Sequence, residues 1–169
     1  SIAWVESAHV ERRLPGTILV RLTERTPFAI WQHQGRFSII DRDGRVVTSD
    51  TLDAFGPLPL VVGAGAEMHG AALYDLLLAH RPVLERTLAM VRVGERRWNL
   101  RLHNGVDVLL PEGHEAPALN RLAEMHERHA LLDRPLVAID MRLPDRMVLR
   151  QPPAPEPAPQ QRRPGGNRG

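Results

Sequence analysis

Residues 97–110 read RWNLRLHNGVDVLL and contain the strongest local structural signal in the chain. Apolar and polar residues alternate over positions 97–103, and apolar residues return at every second position over 106–110. Between them lies Asn104-Gly105, a dipeptide that two-residue hairpin turns prefer because glycine adopts a positive φ without a steric penalty. The sequence therefore predicts two antiparallel strands joined by a two-residue turn.

Similar patterns on the N-terminal side predict two further hairpins. Segments 4–12 and 17–23 flank residues 14–16, and the second of these segments alternates at period two. Segment 36–47 contains a turn at 41–44, whose glycine suits a positive φ. The chain therefore begins with strands joined by short turns.

Two segments have helical spacing of apolar residues, at 66–80 and at 116–132. The first is expected to stop before Pro82, because the residue before a proline disfavours the helical conformation. Strands are predicted again over 136–143 and 147–150, with a turn between them. Helices placed among hairpins indicate an α+β fold with a largely antiparallel mixed sheet and two main helices, preceded by a β-hairpin.

Composition excludes several classes of function. The 169 residues contain no cysteine, which excludes disulfides and cysteine-bound zinc. All 22 basic residues are arginine, which explains a pI near 10.2 beside a net charge of only +2. The positive charge comes from residues 151–169, so residues 1–150 are neutral overall. We therefore predict no nucleic-acid binding. The sequence predicts no signal peptide and no transmembrane segment within these residues.

Two patterns resemble catalytic or cofactor motifs without meeting their spacing. His126 and His129 are three residues apart, whereas a helical metalloprotease motif needs histidines four apart. We interpret His126 as a boundary histidine packed at the sheet. A metal-dependent hydrolase that uses His126 and His129 is the less favoured functional hypothesis. Residues 63–65 lack the third glycine of a dinucleotide fingerprint, at Met68, and no crossover to a parallel strand with an acidic end is predicted. We expect a strand-to-helix junction there and no cofactor.

The last predicted strand, at 147–150, is apolar and no further element follows it. Such a strand is expected at a sheet edge, where unpaired backbone groups allow a partner to add a strand. Either Val148 or Leu149 should direct its N–H outward, and the sequence does not show which of the two does so. The alternative is an edge that the tail covers, or one that is short and harmless without a partner. Residues 151–169, with six prolines, are predicted to be a disordered tail.

The order of several short motifs resembles one known family, the bacterial cell-division proteins FtsQ and DivIB. The motifs are Trp4-Val5 with Thr17 to Val20, Glu24 to Pro27 with Trp31, Ile40-Asp41 with Gly44, residues 60–65, Arg97 to Leu100 with Asn104-Gly105, Leu110-Pro111 and Ile139 to Arg142. The resemblance covers about residues 4–150. It implies that 1–27 are the C-terminal hairpin of a POTRA domain, 28–150 an FtsQ-type β domain and 151–169 the tail.

The resemblance also implies a function, a location and partners. Members are non-enzymatic scaffolds of the divisome in the periplasm, held in the inner membrane by a single helix. They recruit the FtsB/FtsL coiled coil and help to control septal peptidoglycan synthesis, with FtsB adding a strand to the last edge strand. The matching positions are Arg97, Arg142, Leu143, Asp145, Arg146, Met147, Val148, Leu149, Arg150 and Gln151.

Alternatives remain at this stage for both the site and the function. Arg142 either forks onto partner carboxylates or has a role within the chain, as a partner of Asp140 or as a satisfied surface charge. A POTRA-type chaperone module of outer-membrane secretion would also use edge pairing, and it is the second functional hypothesis. The sequence predicts no metal, no cofactor and no catalytic residue for the favoured hypothesis.

Overall fold

The computed structural model describes residues 5–13 and 16–159. Eleven strands and three α-helices alternate along this part of the chain, with single 3-10 turns at 52–55 and 131–133. The strands are β1 (Val5–Arg13), β2 (Thr17–Glu24), β3 (Ala29–His33), β4 (Arg36–Ile40), β5 (Val46–Thr48), β6 (Leu60–Val62), β7 (Thr87–Val93), β8 (Arg97–Leu102), β9 (Asp107–Leu109), β10 (Ala138–Asp140) and β11 (Val148–Arg150). The helices are α1 (Ala66–Leu78), α2 (Arg81–Arg86) and α3 (Glu115–His129).

The strands form two separate sheets. β1 and β2 make an antiparallel hairpin, as predicted from the sequence. The other nine strands form one sheet in the order β11-β10-β9-β8-β7-β6-β3-β4-β5. Three of its pairs are parallel, namely β3–β6, β6–β7 and β9–β10, and the others are antiparallel. The prediction of a largely antiparallel mixed sheet in an α+β fold is confirmed.

The core lies between the sheet and the helices. Leu100, Val108 and Ile139 are neighbours across β8, β9 and β10, and none of them is exposed to solvent. The first half of α3 buries Leu119 and Leu122 in the same core. None of the helices in the described part of the chain is long and apolar enough to cross a membrane.

The turn between β8 and β9 differs from its prediction. The Leu102 N–H donates to the Val106 carbonyl and the Gly105 N–H donates to the Leu102 carbonyl, so the loop has three residues, 103–105, and not two. Gly105 has a φ of +88°, and Asn104 is not among the positive-φ residues. The Asn104 amide bonds instead to the Leu132 carbonyl at 2.9 Å, and its oxygen accepts from the Val106 N–H. A tertiary contact therefore selects the longer turn.

The helical predictions need two corrections. The first helix ends at Leu78, and a further short helix, α2, which the sequence reasoning missed, runs from Arg81 to Arg86. Pro82 was expected only to end the previous helix, but it lies in the first turn of α2. Proline suits this position because the N–H groups of a first helical turn have no acceptor within the helix. The second helix ends at His129, because Ala130 adopts a left-handed conformation with a φ of +51°.

The structure also corrects the prediction for the connection that follows residues 63–65. α1 and α2 connect β6 to β7, and these strands are parallel, so a crossover to a parallel strand is present where none was predicted. Met68, which occupies the place of the third glycine in the dinucleotide fingerprint, is exposed. The turn at 41–44 lies against the start of this helix, since a Cβ built on Gly44 would be 2.5 Å from the Glu67 carbonyl oxygen. The start of α1 is thus packed against protein.

The contact at Gly44 generates a prediction about stability. Gly44 and Gly35 have positive φ values of +84° and +72°, but a Cβ on Gly35 would have no neighbour within 4 Å. Gly35→Ala should cost about 1 kcal/mol, from the left-handed conformation alone. Gly44→Ala should cost about 3 kcal/mol, because the turn must also move away from α1. Urea unfolding of both variants measures the difference. Equal losses would show that the turn adjusts freely.

Candidate partner-binding edge

β11 is the last strand of the nine-stranded sheet and pairs on one side only, with β10. All three of its residues are exposed, including the apolar Val148 (42%) and Leu149 (38%). Residues 151–159, which follow it, have no regular secondary structure and are exposed as well. No backbone hydrogen bond joins the described tail residues 151–159 to β11. Within the described residues, the edge is therefore uncovered.

The hydrogen bonds of β10 show which of its residues face β9. The Asp107 N–H donates to the Val137 carbonyl at 3.1 Å, and the Met141 N–H donates to the Leu109 carbonyl at 2.8 Å. Successive residues in a strand direct their backbone groups to opposite sides. Ile139, between these two contacts, therefore faces β9, whereas Ala138 and Asp140 face β11.

The register of β10 and β11 then assigns the outward groups of the edge. Ala138 pairs with Arg150 and Asp140 pairs with Val148, so Val148 and Arg150 direct their backbone groups into the sheet. In agreement, the Arg150 carbonyl accepts a hydrogen bond from the Val137 N–H at 2.8 Å. Leu149 lies between them. Its N–H and C=O consequently point away from the sheet, which resolves the assignment that the sequence leaves open.

Asp140 organises the charges beside this edge. Its carboxylate accepts two hydrogen bonds from the Arg142 guanidinium, at 2.9 and 2.7 Å, and one from the Arg142 backbone N–H. Arg150 donates to the same carboxylate at 3.1 Å. The side chain of Asp140 is only 12% exposed, compared with 42% for Arg142 and 51% for Arg150. One nearly buried acid therefore holds two half-exposed arginines, one just after β10 and one at the end of β11.

The same contacts change the ionisation of the pair. The hydrogen bonds from the Arg142 guanidinium hold the pKa of Asp140 below its ordinary value, although partial burial opposes this shift. The pKa of Arg142 is raised for the same reason. Of the two roles that the sequence allows for Arg142, the structure shows the intramolecular pair with Asp140. Its guanidinium nevertheless remains accessible enough to contact a partner.

The other predicted site residues surround this pair. Leu143, Asp145 and Arg146 lie in the turn between β10 and β11, where the Arg146 N–H is 3.4 Å from the Leu143 carbonyl. Leu143 is 52% exposed, and Arg146 lies 3.6 Å from Asp145 in an exposed ion pair. Met147 is half-buried against the core, and Gln151 is exposed after the strand. These residues lie next to the edge but do not themselves form a pocket.

Arg97 lies farther away, at the start of β8. The register places Asn99, Leu109, Asp140 and Val148 in one row across four strands. Arg97 is two residues from Asn99 on the same face and donates to the Asn99 side-chain oxygen at 2.7 Å. Two strand spacings, about 10 Å, separate β8 from β10. The fold thus places Arg97 on the same face as Asp140 without direct contact.

The histidines of α3 do not converge on a common site. The His126 Nδ1 accepts a hydrogen bond from the Leu132 N–H at 3.2 Å and so supports the turn after the helix. His129 is exposed. Residues 5–13 and 16–159 contain no group of three or more His, Cys, Asp or Glu residues placed to hold a metal ion. His126 is half-buried and its ring accepts a backbone hydrogen bond, so its observed role is structural.

Sequence reasoning missed Asp140 as the central residue of the site. The signal was available, because Asp140 and Arg142 are two residues apart and an extended chain places such residues on one face. The bond from Arg150 to Asp140 could not be predicted from the sequence, because it depends on the pairing of β11 with β10. Also missed was a bond from the Arg121 guanidinium to the Pro144 carbonyl, at 3.1 Å, which connects α3 to the turn.

Comparison with known proteins identifies the chain's relatives. A family model described as "Cell division protein FtsQ/DivIB, C-terminal" matches residues 29–142. Proteins named "Cell division protein FtsQ" are 44% identical over 146 residues in Bradyrhizobium diazoefficiens, 45% over 152 in Rhizobium meliloti and 43% over 150 in Caulobacter vibrioides. These matches cover 86%, 90% and 88% of the chain and 43%, 49% and 49% of the relatives. The chain thus spans about half the length of the relatives it matches.

The lowered pKa of Asp140 predicts a pH-dependent contribution to stability. A carboxyl whose pKa is lower in the folded than in the unfolded chain stabilises the fold above the unfolded pKa, about 4, and loses this effect as the pH falls through the folded value. Asp140→Asn should therefore lower the free energy of unfolding by about 2 kcal/mol at pH 7. The loss should shrink as the pH falls below about 4 and through the lowered pKa of Asp140.

Urea unfolding of the variant and the parent protein at several pH values measures this effect. Asp145→Asn is the matched control, because the Asp145 side chain is 71% exposed and such pairs contribute little. A loss for Asp140→Asn that is the same at pH 7 and at low pH would contradict an electrostatic role of Asp140.

Proposed function

The chain belongs to the FtsQ/DivIB family of cell division proteins, and from this we propose that it is a non-enzymatic scaffold of the divisome whose β11 edge receives a strand from an FtsB-type partner. In this proposal the chain recruits the FtsB/FtsL coiled coil and so helps to control septal peptidoglycan synthesis. Its β1–β2 hairpin is the end of a POTRA domain. The protein lies in the periplasm at the division septum and is held in the inner membrane by a helix in its remaining part.

One observation carries the mechanism: the N–H and C=O of Leu149 point outward from the last strand of the sheet. An exposed strand edge offers unpaired donors and acceptors, and an extended partner segment can bond to them. The matched family region ends at Arg142, so β11 lies beyond it. The family membership thus supports the divisome role and the kind of partner, whereas the geometry of this chain supports β11 as the docking position.

The side chains of the edge complement this backbone pairing. Val148 and Leu149 are exposed on opposite faces of the strand and offer apolar contacts to the side chains of an added strand. Arg142 and Arg150 lie beside them and keep their orientation through Asp140. Half-exposed arginines with fixed orientation favour a partner with carboxylates next to its strand, and their charges accelerate the encounter more than they add affinity.

Proline substitutions test the pairing directly. Leu149→Pro removes an N–H that has no acceptor in the sheet, so the protein should stay folded while the partner loses a backbone bond and meets the proline ring. Binding should weaken about a hundredfold, since the lost bond and the clash together approach about 3 kcal/mol. Val148→Pro removes an inward N–H and should lower the thermal midpoint.

The assay is titration calorimetry with the soluble fragment of the FtsB homologue from the organism that encodes this chain. Leu149→Ala is the control, because it removes the side chain and keeps the N–H, and its loss of binding should be much smaller than that of Leu149→Pro. If Leu149→Pro remains folded and binds the fragment normally, β11 is not the docking edge and the proposed mechanism is wrong.

A further inference from the structure

A cavity of about 330 Å³ lies beside the turn that precedes β11, between that turn and the start of α3. Pro144 of the turn and Pro111, which follows β9, form part of its wall. The other lining residues come from one face of α3 and the residue before it: His114, Pro117, Ala118 and Arg121. Their spacing of three, one and three residues is that of a single helical stripe.

The cavity is mostly apolar and its walls are stiff. Three of its six lining residues are prolines, whose fixed φ leaves little backbone freedom to lose when a ligand binds. The bond from Arg121 to the Pro144 carbonyl ties the helix to the turn across the cavity. Leu143, adjacent to Pro144 in the chain, is 52% exposed and extends the apolar surface. The cavity is therefore formed before any partner binds.

Arg121 gives the cavity a positive charge that the described residues do not neutralise. Its guanidinium has five N–H donors, and its single hydrogen bond is to the Pro144 carbonyl. Its Nε is buried without an acceptor in the described structure. By contrast, Arg101, Arg142 and Arg150 each contact an aspartate carboxylate. The charge that complements this cavity is thus a carboxylate from outside the described residues.

The position of the cavity connects it to the proposed docking edge. β9 and β10 run parallel and end side by side, and β11 starts at the same end after the 143–146 turn. A strand added to β11 that continues past Met147 would run alongside this turn. Pro144 of the turn forms part of the cavity wall. The cavity therefore lies at the end of the sheet towards which an added strand would continue.

We propose that this cavity receives an aliphatic or aromatic side chain of the partner segment that continues from the added strand, with a neighbouring carboxylate bound to Arg121. This inference rests on the proposed function, because it assumes strand addition at β11. It deepens that function by giving the partner a sequence requirement: an apolar residue next to an acidic residue, beyond the residues that pair with the edge. Backbone pairing alone depends little on sequence, so the cavity adds specificity.

Occluding the cavity tests the inference with the FtsB-type fragment used for β11. Pro117 is exposed in the first turn of α3, and Pro117→Trp places a large ring at the cavity while leaving the β11 backbone unchanged. The Kd should rise about tenfold or more, as for the loss of a central apolar contact. Asn120→Trp is the matched control on the same helix, because Asn120 is exposed and does not line the cavity. Its Kd should stay within about twofold.

A charge test accompanies the steric one. Arg121→Gln keeps an amide donor near Pro144 but removes the positive charge, so binding should weaken and depend less on salt concentration. If Pro117→Trp alone disturbs folding, His114→Trp is the second variant, because His114 is exposed and precedes the helix.

The outcomes separate this inference from the proposed function. If Leu149→Pro weakens binding but Pro117→Trp and Arg121→Gln do not, the edge is the docking site and the cavity inference is overturned. Equal weakening by Pro117→Trp and Asn120→Trp also overturns it, because the effect would then not depend on the cavity. If neither Leu149→Pro nor the cavity variants change binding, the proposed function fails as well.

Discussion

The parallel pairing of β10 with β9 is the constraint on which the rest of the site depends. Because Asp107 and Leu109 bond to Val137 and Met141, the residues that flank β10, Ile139 between them faces β9 and its two neighbours face β11. The backbone groups of Ala138 and Asp140 then bond to β11, and those of Leu149, opposite Ile139, point away from the sheet. α3 makes this pairing possible, since parallel strands need a long crossover and the helix spans the connection from β9 to β10. A core helix thus determines the direction of a surface backbone group.

Asp140 connects the core and the surface of this region. Its backbone pairs with β11, and its nearly buried carboxylate holds Arg142, which follows β10, and Arg150 at the end of β11. An acid this enclosed would be costly to bury without its two cationic partners. The arginines retain enough exposure to meet a ligand, so the same network stabilises the edge and orients its charges. The lowered pKa of Asp140 means that the network stays charged to a lower pH than an ordinary aspartate would allow.

An uncovered sheet edge also carries the risk that copies of the chain pair with each other. β11 is only three residues long and ends in Arg150, and Pro152 and Pro153 follow one residue later. Short edge strands, charged residues and prolines all limit unspecific pairing. Proline lacks the N–H that continued pairing would need. A partner with contacts outside the strand, as proposed for the cavity at Pro144, would bind such a short edge more selectively than backbone pairing alone allows.

The elements that the sequence determined are those whose signal is local. Alternation at period two located the hairpins, and the edge position of the last strand followed from its place in the chain. Helical spacing located α1 and α3 to within a few residues at their ends. The parallel β9–β10 pair, the three-residue loop at 103–105 and the network at Asp140 were decided by tertiary structure. Each joins residues that are distant in sequence, such as Asn104 with Leu132 or Asp140 with Arg150. The outward direction of Leu149 belongs to this second group, because alternation shows that neighbouring residues differ but only a paired neighbour strand shows which one faces it.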